Sequence, residues 1–366
     1  MKIISLRNNF KNIVIQAERF TGKNINLPIL GNVLIEAKGK KCSIIATNLE
    51  MAIESDFSCK VVQEGIITVP AKILSTVIQT IQEENIIIEE KNNILLINSE
   101  NSKITINGNP SKDFPIIPKI KGGKKLNSAF LLLVDGIKSV ITAVSRSELK
   151  PEISGVLLKI EGKKLKLVAT DTFRLAEKTI TLASSDETKS SFVVPVRTVE
   201  ELARLFFEEG DEVIITYSDN QVVFIVGDQV ITSRLIDGIF PEYAGIIPKN
   251  FESTALIEKS ELIQKIRAAS VLSSKLNDII LKFSGEFLTV ESSNSELGSM
   301  SSKIKLKKFT GKPVNLSFNF RYLLDGLESI QDEEIFIGVS GESSPALLRS
   351  KTDESLIYVL MPIRNL

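Results

Sequence analysis

The chain repeats itself at the scale of a whole domain. Pro28-Ile29-Leu30-Gly31-Asn32-Val33-Leu34, followed by Ile44-Ile45-Ala46-Thr47-Asn48, returns as Pro151-Glu152-Ile153-Ser154-Gly155-Val156-Leu157 followed by Leu167-Val168-Ala169-Thr170-Asp171. A fainter echo comes in Asn277-Asp278-Ile279-Ile280-Leu281 and then Leu288-Thr289-Val290-Glu291-Ser292-Ser293-Asn294. Thr47, Thr170 and Ser293 stand 123 residues apart. Solenoid units run roughly 20–50 residues, so this period belongs to a domain of about 100–150 residues copied in tandem. Three like domains in one chain suggest an arc, and an arc can be closed into a ring.

Each copy opens on a stretch with helical spacing, at 8–21, 128–144 and 259–272. In the first, Phe10, Ile13, Val14, Ala17 and Phe20 fall on one face. Alternating apolar runs follow, reading as strands with turns such as Glu161-Gly162-Lys163. A second helix is expected at 71–81, 198–207 and 320–329. In the first two copies it is announced by Val69-Pro70-Ala71-Lys72 and Val194-Pro195-Val196-Arg197, because proline suits a helix entrance whose N–H groups have no partner. After each second helix comes an acidic cluster that reads as a solvated turn: Glu83-Glu84, Glu208-Glu209 with Asp211-Glu212, and Asp332-Glu333-Glu334. The pattern predicts an α+β chain of three domains, 1–122, 123–251 and 252–366, each with two helices on antiparallel sheet.

The composition restricts the chemistry. The chain has 366 residues and no histidine, which removes Ser-His-Asp and Cys-His catalysis and the usual histidine zinc sites. No Walker motif or GxGxxG is present, and Gly122-Gly123-Lys124-Lys125 lacks the Ser/Thr and the βαβ setting of a phosphate loop. Asp113 and Asp171 sit in turns, where capping is the ordinary role. The sequence therefore predicts a protein that is not an enzyme, with no cofactor and no metal. No apolar run approaches the roughly 18 residues of a membrane helix, and Met1-Lys2-Ile3-Ile4-Ser5-Leu6-Arg7 has no signal-peptide pattern. A cytoplasmic protein with no membrane partner is expected, its Cys42 and Cys59 reduced and mostly buried. Basic and acidic side chains balance at 45 each. A polyanion partner then requires charges sorted onto different faces.

Three segments carry a family signature: Ala169-Thr170-Asp171-Thr172-Phe173-Arg174-Leu175-Ala176, Phe240-Pro241-Glu242-Tyr243, and Tyr358-Val359-Leu360-Met361-Pro362-Ile363-Arg364. Ser273-Ser274 and Phe318-Asn319-Phe320-Arg321-Tyr322-Leu323 support them. At this spacing, within a threefold repeat, they resemble the bacterial DNA polymerase III β subunits, the sliding clamps, over essentially the whole chain. The resemblance implies a DNA clamp fold and a head-to-tail homodimeric ring that surrounds double-stranded DNA, with helices lining the hole. Cations on those helices would meet phosphates without reading sequence. The candidates are Lys11, Arg19, Lys72, Lys138, Arg146, Lys150, Arg197, Arg204, Lys265, Arg267 and Arg321, although a lysine on a helix also fits a merely solvated face. Relatives are usually acidic, so zero net charge is a mild departure. Another is Pro151-Glu152, which stands before Gly155 where aromatic residues could have contacted DNA.

The same resemblance implies an apolar cleft that receives linear peptides from the DNA polymerase III α subunit, the clamp loader and repair proteins. Ile153, Leu175, Ile246, Val359, Leu360, Met361, Pro362 and Ile363 would wall it, and Thr170, Thr172, Arg174, Asn319 and Tyr322 would supply hydrogen bonds at its rim. Phe173, Pro241 and Arg364 belong to the same signature segments. Leu175 and Val359 also fit plain strand core. Gly245 stands where arginine is common, Leu276 where a larger aromatic is often found, and Asn365-Leu366 extends past Arg364. For ring closure, the resemblance sets Val271 and Leu272 of one copy against Ile104 and Ile106 of the other. The competing reading is a peptide-binding scaffold that never encircles DNA.

Overall fold

The computed structural model describes residues 1–363 except 121, 148, 206 and 209, with the backbone alone for 184–188. Arg364 and Glu209 therefore lie outside the described residues. The chain forms two compact units, Met1–Leu131 with Arg204–Leu235 and Leu132–Ala203 with Ile236–Leu366.

Two helices per repeat are present: α1 (Arg7–Arg19) and α2 (Ala71–Thr80), α3 (Phe130–Val140) and α4 (Val196–Leu202), α5 (Lys259–Ser270) and α6 (Phe320–Ser329). In α1 the apolar spacing does what it promised, burying Phe10, Val14 and Ala17. On α2, Ala71, Leu74 and Ile78 are buried likewise. Each large side chain buried this way stabilises the fold by about 1.5–3 kcal/mol. Two helices are shorter than their periodicity. The first ends at Val140 and tightens into a 3-10 turn, Ile141–Ala143. The second ends at Leu202, and Phe207 leaves its axis to meet Phe130 edge-on, ring centroids 5.0 Å apart.

In the first unit, a five-stranded antiparallel sheet runs Lys60–Gln63, Lys2–Leu6, Asn85–Lys91, Ile94–Asn98, Lys103–Asn107. An eight-stranded sheet runs Lys124–Ala129, Glu212–Tyr217, Gln221–Val226, Gln229–Arg234, Met51–Phe57, Lys41–Thr47, Asn32–Lys38, Gly65–Pro70. Strands of two different repeats meet within it, where Gln229–Arg234 pairs Met51–Phe57 with Ile231 opposite Ile53.

The second unit repeats the arrangement. Its seven-stranded sheet runs Gly155–Thr170, Arg174–Pro195, Leu356–Leu360, Ala346–Ser350, Glu334–Val339, Ser253–Glu258, Lys308–Gly311, and a four-stranded sheet runs Gly298–Lys305, Phe287–Asn294, Asp278–Ser284, Val314–Asn319. Here Arg174–Pro195 of the second repeat pairs Leu356–Leu360 of the third, Leu175 opposite Val359. The expected acidic turns precede Asn85, Glu212 and Glu334, but Glu334 is not merely solvated. It binds both Lys307 and Lys351 at 2.6 Å, and these hydrogen bonds hold its carboxyl below the usual range.

The cysteines correct the sequence reading: Cys42 and Cys59 are joined in a disulfide rather than left as thiols. Strand pairing is the reason. Cys42 lies opposite Phe57, so the chain leaving that strand carries Cys59 back beside Cys42, with Cα atoms 6.5 Å apart, inside the range a disulfide bridges.

Candidate functional site

The site begins with a turn. Strands Gly155–Thr170 and Arg174–Pro195 pair down to Thr170 opposite Leu175, leaving four residues, Asp171 to Arg174, to reverse the chain. Asp171 Oδ1 accepts the backbone N–H groups of Phe173 and Arg174, both at 3.0 Å, and Thr170 Oγ1 donates to the Arg174 carbonyl at 2.7 Å. Thr172 takes the left-handed conformation, φ 80°. Short Asx and Ser/Thr hydrogen bonds of this kind offer the backbone an alternative to the ladder. The first repeat uses the same device: Asn48 Oδ1 accepts from Glu50 and Met51, Thr47 Oγ1 donates to the Met51 carbonyl, and Leu49 sits at φ 78°. The turn is thus a property of the repeat, and what surrounds it in the second copy makes the site.

Arg174 is the centre of that surround. Its side chain is only 9% exposed. Nε donates to Asp171 Oδ2 at 3.0 Å, and Nη1 donates to Asp325 on α6 and, at 3.3 Å, to the Tyr358 hydroxyl. The guanidinium lies 4.2 Å from the centre of the Tyr322 ring, on which Phe173 stacks at 6.4 Å. Charge-assisted hydrogen bonds and the ring face together compensate the desolvation of a nearly buried cation. Its pKa is pushed upward by Tyr358 and Asp325 in spite of burial, which opposes the charge. Tyr358 in turn donates to the Tyr322 carbonyl at 2.9 Å. Gly326 lets α6 lie on the Tyr358 ring, since a Cβ there would stand 2.6 Å from it. Asn319 caps α6 by accepting the Arg321 and Tyr322 N–H groups.

Beneath the turn is an apolar floor. Leu175 and Val359 pack with Ile153, Leu157, Val168, Val193, Phe240 and Tyr243 in one buried cluster. Leu175 and Val359 belong to this strand core and also reach the lining of a cavity. Tyr243 meets Phe240 edge-on and donates its hydroxyl to Glu177 Oε2 at 2.6 Å. Burial, then that hydrogen bond, pushes the phenol far above its ordinary pKa. The bond fixes the segment that leads to Ile246. The chain beyond Leu360 closes the other side: Met361 N–H donates to the Phe173 carbonyl at 2.9 Å, and Ile363 N–H to the Ser317 carbonyl at 2.7 Å.

These parts enclose a cavity of about 680 Å³, lined by Thr170, Thr172, Arg174, Leu175, Gly245, Ile246, Pro248, Asn250, Ser340, Ser344, Pro345, Val359 and Met361. Seven of the cleft residues expected from sequence are on that lining. Phe173, 59% exposed, stands beside it. Ile153 is instead part of the core below, and Pro241, Leu360, Pro362 and Ile363 are not on the lining. Leu360 is held between strands, opposite Arg174 on one side and Ala346 on the other. Sequence reasoning missed Pro248, Asn250, Ser340, Ser344 and Pro345. Pro248 stands in Ile246-Ile247-Pro248-Lys249, which echoes Ile116-Ile117-Pro118-Lys119 of the first copy and is the signal that locates it; Ser340, Ser344 and Pro345 lie in the connection between Glu334–Val339 and Ala346–Ser350. The cavity therefore combines an aliphatic floor, a hydroxyl- and amide-bearing rim and one cation already engaged by two carboxylates. Such a surface suits apolar side chains presented on a short segment whose backbone needs hydrogen bonds.

The other candidates are placed as follows. Lys11 and Arg19 lie on α1, Lys72 on α2, Lys138 on α3, Arg197 on α4, Lys265 and Arg267 on α5, and Arg321 on α6; Arg146, Lys150 and Arg204 follow helices. None is buried. Arg146 and Arg267 are ion-paired, with Glu200 at 2.9 Å and Glu328 at 2.8 Å. Val271 is 70% exposed just past α5, and Lys103–Asn107, carrying Ile104 and Ile106, is an edge strand. Ile104 and Ile106 share one face of that strand, Ile104 half-buried and Ile106 buried. Among the described residues, no group of three or more His, Cys, Asp or Glu is arranged to hold a metal. None of their helices is long and apolar enough to cross a membrane.

Comparison with known proteins covers nearly the whole chain. Residues 1–118 match the N-terminal domain of the DNA polymerase III beta subunit, 131–242 its central domain and 244–364 its C-terminal domain. The beta sliding clamp of Synechocystis sp. is 29% identical, over 100% of this chain and 99% of that one. The beta sliding clamp of Bacillus subtilis is 27% identical over 93% of both. A crystal structure of a sliding clamp from Bacillus subtilis superposes with a TM-score of 0.95 at 25% identity, covering 100% of each chain. A DnaN sliding clamp from Pseudomonas aeruginosa, solved bound to griselimycin, gives 0.96 at 26% identity with the same coverage.

Proposed function

The chain belongs to the DNA polymerase III beta subunit family, the non-catalytic sliding clamps, and from that premise we propose that two copies close head to tail into a ring around duplex DNA. Three domains per copy, 1–122, 123–251 and 252–366, give six similar domains in the ring. The cations on α1 to α6 and their flanks face the duplex. Phosphates attract them without favouring any base, and topology rather than affinity retains the ring. Ring closure brings Val271 and Leu272 of one copy to the Lys103–Asn107 edge of the other. The protein works in the cytoplasm.

The cavity floored by Leu175 and Val359 carries the rest of the reading. It receives linear peptides of the DNA polymerase III α subunit, the clamp loader and repair proteins, whose leucine and phenylalanine anchors fill it. Ile246 and Met361 close over those anchors, and the rim of Thr170, Thr172, Asn250, Ser340 and Ser344 binds the peptide backbone. A few anchors supply most of the energy, and Met361 adapts to different ones.

The deciding experiment is a titration with fluorescent Gln-Leu-Ser-Leu-Phe. Saturable binding to the natural chain, lost in Met361→Asp, is the expected result. A folded protein that binds nothing, or binds equally with aspartate at 361, sinks the assignment of the cleft. For the ring, protein loaded on nicked circular DNA should be released when the circle is linearised. Release by salt alone would identify ordinary electrostatic binding and favour a scaffold that does not encircle DNA.

A further inference from the structure

Arg146 and Arg267, both assigned to the duplex-facing set, already hold an anion. Arg146 Nη2 meets Glu200 Oε1 of α4 at 2.9 Å, and Arg267 Nη2 on α5 meets Glu328 Oε1 of α6 at 2.8 Å. In both repeats the pair spans the first-helix segment and the second helix. The arginines are the more exposed members, at 70% and 64%, against 24% and 50% for their carboxylates. In the first repeat the second helix, α2, Ala-Lys-Ile-Leu-Ser-Thr-Val-Ile-Gln-Thr, contains no carboxylate.

We infer that Glu200 and Glu328 act as internal substitutes for phosphate, a role that rests on the duplex-facing reading of these helices. An exposed ion pair is weak, and a guanidinium engages carboxylate and phosphate through the same fork of N–H donors. Each arginine therefore exchanges its carboxylate for a passing phosphate at small cost and returns to it when the phosphate moves on. The exchange lowers static grip without removing the cation, which is what a ring retained by topology requires. The competition is local to Arg146 and Arg267, each of which meets phosphate against the carboxylate it already holds.

The test is binding of a short fluorescent duplex by full-length protein across a salt series. It compares the natural chain with Glu200→Gln/Glu328→Gln, with Arg146→Ala/Arg267→Ala, and with all four changes together. Neutralising the two carboxylates should tighten binding roughly 3- to 10-fold at low salt and steepen the dependence of log K on log[salt] by about one to two units. These are the sizes expected when one or two further cations engage phosphates. The arginine changes should weaken binding and flatten that dependence. In the arginine-free background the glutamine changes should do almost nothing, which separates a pairwise exchange from a general change of charge. If the arginine changes weaken binding while the glutamine changes leave it unaltered, or act equally in both backgrounds, the substitution role is wrong and the duplex-facing reading stands. If removing both arginines changes nothing, the duplex-facing reading of these two residues fails and the inference goes with it.

Discussion

Arg174→Ala tests the central argument about the cleft. The change removes one donor to each of two carboxylates and to the Tyr358 hydroxyl, and takes the cation off the Tyr322 ring. Breaking a buried ion pair by deleting one partner costs about 3–5 kcal/mol. Asp171 is 13% exposed and Asp325 35%, so water relieves part of that cost and about 2–4 kcal/mol remains. For a unit of this size that is a fall in melting temperature of roughly 5–15 °C. Arg174→Lys keeps a charge but not the forked geometry, and should lose about half as much. The assay pairs thermal melting with the peptide titration. Because Asp171 and Phe173 are organised around the arginine, Arg174→Ala should weaken the peptide about tenfold even at temperatures where the protein is fully folded. A variant that melted within about 1 °C of the natural chain and bound peptide normally would refute the reasoning, since the arginine would then be a bystander.

Three further outcomes follow from the structure. Tyr243 and Tyr358 are both driven above the ordinary phenol pKa, mainly by burial, so above about pH 10 the unfolded chain loses those protons first and stability falls as pH rises. Tyr243→Phe should make that alkaline decline shallower by up to about 1.4 kcal/mol per pH unit in urea melts between about pH 9 and 11, and an unchanged slope would contradict the assignment. Cys42 and Cys59 are 17 residues apart in sequence, so reduction should lower unfolding stability by about 2–3 kcal/mol, with no further loss in Cys42→Ser treated with reductant. Finally, Leu272→Asp should yield monomers in light scattering, and an unchanged dimer would remove Val271 and Leu272 from the interface.

The parts of this chain visible in its sequence are those with local causes. The apolar spacing of Phe10, Val14 and Ala17 specifies a helix wherever the chain goes, and Val-Pro before residues 71 and 196 marks the helix entrances. The Thr-Asp and Thr-Asn turns were legible as repeated segments, because the side chains that make the turn are inside it. Motif resemblance located Arg174, Leu175, Val359 and Met361, but not what Arg174 does. Its partner Asp325 is 151 residues away, and no pattern along the chain links them. Ser340 and Ser344 were invisible for the same reason, since only the folded chain brings their connection to the cavity, whereas Pro248 lies in a run, Ile-Ile-Pro-Lys, that the first copy also carries at 116–119. The disulfide was misread because it depends on the register of Lys41–Thr47 against Met51–Phe57, and spacing alone does not reveal that register.

The cleft is assembled from chain that is made far apart in time. Strand Arg174–Pro195 leaves the ribosome early, whereas its neighbour Leu356–Leu360 follows more than 150 residues later. At a synthesis rate of about 5–20 residues per second, Leu175 waits roughly ten seconds or more before Val359 arrives to complete the floor. A chain that stalls or is cut short before then has the turn and Arg174 but neither Met361 nor Tyr358. Partial products of translation thus lack a complete cavity, and the order of synthesis itself acts as a check on completeness.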